Sequence, residues 1–152
     1  MLQRPQTLYL LGVFLLSLFL LTGPLALLTL NGTEFLLKHS GIYELDGDKL
    51  EVATWPLSVY FILVVILTFL NIFFYRNRIR QMRVCVFLIL LLAGMVGMIF
   101  FYITVAKHQL DGAHLVYTWR IVIPPIGIIL SYLAFRRIRR DELMVKAYER
   151  IR

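Results

Sequence analysis

Apolar stretches along this chain are long and continuous, and the polar stretches between them are short. No Asp, Glu, Lys or Arg occurs in 5–33, 52–75 or 84–106. In a fourth apolar stretch, 115–135, the one charge is Arg120. Each is as long as the roughly 20 residues that a helix needs to cross a hydrocarbon layer about 30 Å thick. The stretches are Leu-rich and lack the alternation of every second residue that a membrane barrel strand requires. The pattern therefore predicts an all-α integral membrane protein, one domain over 1–152. Four transmembrane helices, near 8–30, 55–75, 84–106 and 115–135, are expected to form a bundle.

Between the first two helices the pattern changes. "GIYELDGDKLEVATW" places the strand-favouring Ile42, Tyr43, Val52 and Thr54 around Asp46-Gly47-Asp48, a turn. A small β-hairpin near 41–55 is expected. Within the first helix, Gly23-Pro24 predicts a kink and Asn31-Gly32 the helix end. Asn31-Gly32-Thr33 also matches the short glycosylation acceptor pattern and is read as helix-end chemistry. Pro56 suits the first turn of the second helix, and Pro124-Pro125 should kink or unwind the fourth. Ala93 and Gly97 on the third helix, and Gly127 and Ser131 on the fourth, form small pairs four residues apart. Such pairs let helix backbones approach closely, and the two faces are expected to pack on each other. The tail, 136–152, repeats Leu143, Met144, Ala147, Tyr148 and Ile151 at helical spacing. It predicts a basic amphipathic helix on lipid or on a partner.

Composition agrees with a bilayer solvent. Of 152 residues, 60% are hydrophobic, and the mean hydropathy is +0.79. The charges add direction. Twelve of the sixteen Lys and Arg fall at the N-terminal tip, in the loop after the second helix and in the tail. Six of the nine acids fall in the other two loops. By the positive-inside rule both termini are cytoplasmic and the hairpin faces outward. Arg76, Arg78, Arg80 and Arg83 in the loop, and Arg136, Arg137, Arg139 and Arg140 in the tail, then anchor topology against lipid phosphates. Membrane lipids are the expected partners, with another membrane protein or a second copy of the chain. Nucleic acid is not expected, because no recognition fold accompanies the charge. The N-terminal apolar run continues to Leu30, too long for a cleaved signal segment. The one cysteine, Cys85, forms no intramolecular disulfide and reads as an apolar packing residue.

Candidate chemistry is sparse. No acid or histidine falls in the expected membrane core, which disfavours proton coupling through a carboxylate. Paired haem histidines and nucleotide, zinc-protease or nucleophile-elbow motifs are absent. No cofactor and no enzymatic activity are expected. Arg120 is expected to snorkel to the headgroups, to pair with Glu51, or to hold an anionic ligand. Asn71 is expected to hydrogen-bond a neighbouring helix, and Ser131 is a further polar packing or ligand candidate. His108, Asp111 and His114 share a three-residue spacing that suits a metal, but no fourth ligand is evident. At the tip, Gln3-Arg4 is expected to dock on Asp141 or Glu142 of the tail.

Three segments carry a resemblance: "MLQRPQTLYLL" at the start, "RNRIRQMR" in the middle and "AFRRIRRDELMVKAYERIR" at the end. Gln3, Arg4 and Gln6, then Asp141, Glu142, Arg150 and Arg152, are polar residues that membrane burial does not demand. With them the whole chain resembles domain-of-unknown-function family 4293, a bacterial family of small four-helix membrane proteins. Leu143 departs from the charged residue that the pattern leads one to expect. The resemblance implies a multi-pass protein of the bacterial inner membrane; it implies no activity and carries over no catalytic residue. The expected function is a binding or accessory component of a membrane assembly. The alternative is a small-ligand binding or transport protein with an outward site near Arg120.

Overall fold

In the computed structural model, which describes residues 5–30, 32–45, 50–74, 77–110 and 112–149, four helices carry a small antiparallel sheet at one end. The helices are α1 (Pro5–Leu20), α2 (Trp55–Phe73), α3 (Arg78–Gln109) and α4 (Ile123–Glu149). The strands are β1 (Ala26–Leu30), β2 (Thr33–Leu37), β3 (Gly41–Glu44), β4 (Leu50–Ala53) and β5 (His114–Tyr117). Helices α2, α3 and the 119–145 segment are long and apolar enough to cross a membrane. The first helix is shorter, 16 residues, or about 24 Å at 1.5 Å per residue.

The expected helix over 8–30 therefore stops at Leu20. Gly23-Pro24 ends it instead of kinking it, and the apolar residues beyond enter the sheet as β1. The strand order is β4-β3-β2-β1-β5. The expected hairpin exists as β3 and β4, with Ile42 opposite Val52, but it is only one edge of five strands. Its Asp46-Gly47-Asp48 turn lies outside the described residues. Of the expected helix end at Asn31-Gly32, Asn31 lies outside the described residues, and Gly32 lies between two strands rather than after a helix. Leu30 pairs with Thr33, so two residues connect β1 to β2. Gly32 has φ +86°, which only glycine adopts without strain, and Asn-Gly is the favoured pair for such a hairpin.

The sheet is held on the helix ends by alternation. Ala26 and Leu28 of β1 and Phe35 and Leu37 of β2 are buried and share one face through the Ala26–Leu37 and Leu28–Phe35 pairs. They join one core with Leu20, Leu57, Phe61, Ile103, Ala106 and Ile123 from the helices. Chain direction follows. α1 runs toward the sheet, α2 away, α3 back, and α4 away again. Each helix packs beside two others, α1 and α3 both lying against α2 and α4.

The fourth apolar stretch also starts differently from expectation. It begins as β5, paired to β1 through Val116–Leu27, and a 3-10 turn at Trp119–Val122. Pro124 and Pro125 then fall in the first turn of α4, where a missing N–H breaks no helical bond. They start a helix rather than kink one. The basic tail continues α4 without a break to Glu149.

Candidate functional site

The sheet end is built around the last turn of α1. The carbonyls of a helix C-terminus lack intrahelical partners and carry the negative end of the dipole. Arg120 supplies the complement. Its Nη1 donates to the Phe19 carbonyl at 2.9 Å and to Thr22 Oγ1 at 3.1 Å. The guanidinium also lies over the Phe19 ring, 4.4 Å from its centroid. Trp119 packs on the same ring at 5.4 Å. Gly23 makes room for this: a Cβ there would overlap the guanidinium. Arg120 thus plugs α1, an arrangement no sequence spacing announced, since 101 positions separate it from Phe19.

A second residue, His39, went unmarked in the sequence. Its Nε2 lies 3.1 Å from the Leu21 carbonyl and donates to it. Nδ1 pairs with Ser58 Oγ at 2.9 Å. The His39 carbonyl in turn accepts from Thr54 Oγ1 at 3.0 Å and Ser58 Oγ at 2.9 Å. One histidine between two strands therefore ties the end of α1 to the start of α2. The signal available was a lone histidine between β2 and a hairpin, which by itself says little.

Asn71 and Ser131 lie elsewhere, so the structure does not bring them to Arg120. Asn71 is about 24 Å along α2 from its sheet end. It is fully buried, and its Nδ2 donates to Cys85 Sγ at 3.3 Å. Gln81 Nε2 donates to the Asn71 backbone carbonyl at 3.3 Å. Cys85 packs with Leu10, Ala134 and Ile138, with Ile72 of α2 against the same cluster, which brings all four helices together. Gln6 lies one turn before Leu10, and Ser131 three residues before Ala134. Gln6 Oε1, Asn71 Oδ1, Gln81 Oε1 and Ser131 Oγ are buried with no hydrogen-bond partner among the described residues. Ser17 and Thr68, by contrast, bond back to their own helices, at the Val13 and Val64 carbonyls.

The small pairs do not meet. Gly127 packs against Leu92 and Val13. Ala93 and Gly97 are exposed, and a Cβ on Gly97 would meet nothing within 4 Å. The two faces expected to pack on each other are therefore separated, and the α3 face is open.

At the end opposite the sheet sit the arginines. Arg76 lies outside the described residues. Arg78 Nη1 donates to the Asp141 carbonyl at 3.3 Å, tying α3 to α4. Arg80 lies over the Phe74 ring at 5.9 Å. Arg83 and Arg139 line one groove between α3 and α4. Arg136, Arg137 and Arg140 line a smaller one with Tyr9. Gln3 and Arg4 lie outside the described residues, so their docking on Asp141 or Glu142 does too. Of the suggested metal cluster, His108 and His114 are exposed and Asp111 is outside the described residues. Among the described residues no three His, Cys, Asp or Glu side chains group as metal ligands would.

The chain belongs to the family described as "Domain of unknown function (DUF4293)", whose family model matches residues 2–151. No curated protein matches the chain.

Proposed function

We propose that this protein is a four-span component of the bacterial inner membrane with a non-catalytic, binding or accessory role in a larger assembly. In this reading the arginine-rich end and both termini are cytoplasmic and the sheet is outside, as the charge bias directs. Three crossings are α2, α3 and α4. The fourth is α1, short as it is. Its Leu10 packs with Cys85 and Ala134 near one end of the assembly, and its Phe19 touches Arg120 at the other.

The observation that carries the binding role is the open small-residue face of α3. Ala93 and Gly97 leave the backbone uncovered on a surface where neighbouring residues are bulky, Leu90 being 64% and Phe101 60% exposed. In a membrane, where lipid tails are as apolar as leucine, close backbone approach drives helix pairing. A partner helix from another membrane protein fits this face.

The test is gentle extraction from native membrane, capture through a tag in the sheet's loops, and mass spectrometry. A stoichiometric membrane protein is expected with the wild-type chain and lost with Gly97→Leu. Because nothing packs on Gly97, the variant should keep its own thermal stability. A chain captured alone, or an association indifferent to Gly97→Leu, overturns the proposal. Capture of a second copy only would make the assembly a homo-oligomer.

A further inference from the structure

The groove between α3 and α4 at the arginine end has a construction that general surface charge does not explain. It holds about 340 Å³ and is lined by Ile79, Met82, Arg83, Val86, Phe135, Arg139, Glu142 and Leu143. Arg83 is the last charge before the charge-free run of α3, and Arg139 follows that of α4 by one turn. Both point into one groove whose other walls are largely apolar. Among the described residues neither makes an ion pair or hydrogen bond, whereas Arg78 is spent on the Asp141 carbonyl. The apolar groove on α2, lined by Val59, Ile62, Leu63, Ile66, Leu67 and Leu70, has no such cationic rim.

We infer that this groove is a seat for one anionic phospholipid, its phosphodiester held between Arg83 and Arg139 and an acyl chain lying along Val86 and Phe135. The inference rests on the membrane reading above. Basic pockets between helices at the cytoplasmic boundary suit lipid headgroups. The guanidinium fork matches phosphate oxygens in pairs. A free phosphate would use the arginines but gain nothing from the apolar walls; a lipid uses both. Glu142 lines the same groove, so two cations oppose one carboxylate there. Leu143 adds to the apolar wall.

The experiment uses the full chain in neutral detergent, stripped of lipid. Native mass spectrometry then reads adducts with dioleoyl phosphatidylglycerol or with dioleoyl phosphatidylcholine, which has the same chains. The wild type should favour the anionic lipid as a one-to-one adduct. Arg83→Gln with Arg139→Gln should weaken that adduct by about 10- to 30-fold, at roughly 1 kcal/mol per basic residue near a lipid surface. Arg136→Gln with Arg137→Gln, at the neighbouring groove, should leave most of it.

Equal binding of the two lipids by the wild type, which needs no variant to fold, overturns the seat. So does full selectivity in the Arg83/Arg139 variant. Displacement of the lipid by millimolar inorganic phosphate would also overturn it, since the apolar wall would then contribute nothing. Alkaline carbonate extraction separates the two levels. A chain released to the aqueous fraction sinks the membrane reading itself. A chain retained in membrane but blind to headgroup charge sinks only the seat.

Discussion

The two ends of this helix assembly treat polar groups in opposite ways. At the sheet end, polar side chains reach across elements and find partners: Arg120 on Phe19 and Thr22, His39 on Leu21 and Ser58, Thr54 on the His39 carbonyl. Thr118 Oγ1 is the exception there. Toward the arginine end, Gln6, Asn71, Gln81 and Ser131 are buried among the four helices, each with an oxygen that has no partner among the described residues. Buried polar atoms without partners cost about 1–3 kcal/mol apiece. The sheet end is thus a cap that fixes where the helices start and stop. The arginine end holds polarity that the described residues do not satisfy, beside the basic grooves.

The sharpest way to break the comparison is to unplug α1. Arg120→Ala should lower unfolding stability by about 1–2 kcal/mol, a charged hydrogen bond reduced for partial exposure. Thermal unfolding in detergent reads it. Gly23→Ala should cost a similar amount by displacing the guanidinium, and the two changes should not add. Full additivity would mean that Gly23 has some other task.

The opposite end predicts a change of the opposite sign. Ser131→Ala removes a buried hydroxyl with no partner among the described residues and should raise stability by about 1 kcal/mol. A loss instead would show that the hydroxyl holds water or a partner group. The smallest effect lies between the two ends, at Tyr60. Its hydroxyl donates to the Leu91 carbonyl at 3.0 Å, and a Cβ on Gly94 would overlap that hydroxyl. Tyr60→Phe should cost about 0.5–1 kcal/mol. Gly94→Ala should then be better tolerated in Tyr60→Phe than in the wild type.

Much of the helix framework was legible in the chain. Charge-free runs placed α2 to within two residues and the middle of α3, which starts six residues before its run and ends three after it, because a long unbroken apolar run has few other uses. The run 5–33 misled for the same reason. An apolar segment of five residues reads alike as buried helix or buried strand, and Ala26–Leu30 became a strand. Asn31-Gly32 carried a usable hairpin signal, which the assumption of a continuous helix masked. β5 was harder. His114–Tyr117 is a strand because β1 offers it an edge, and that edge comes from residues about 90 positions earlier. Of the candidate residues, Asn71 shows the expected helix-to-helix bond, to Cys85. The plug at Arg120 was not readable, because a guanidinium can answer any exposed carbonyl and the sequence does not say which one folding brings near.

The sequence by itself determined the solvent-like character of each segment, the length of the long helices and the bias of charge toward one end. These follow from residue chemistry and local periodicity, which act within a few turns. Only the tertiary structure decided that the first apolar run divides into helix and sheet. It likewise decided that Arg120 and His39 are spent on α1, that the small face of α3 stays open, and that Arg83 and Arg139 share one groove. Each of those depends on contacts between distant segments, and hydrogen bonds and packing reward such contacts only once the chain has closed on itself.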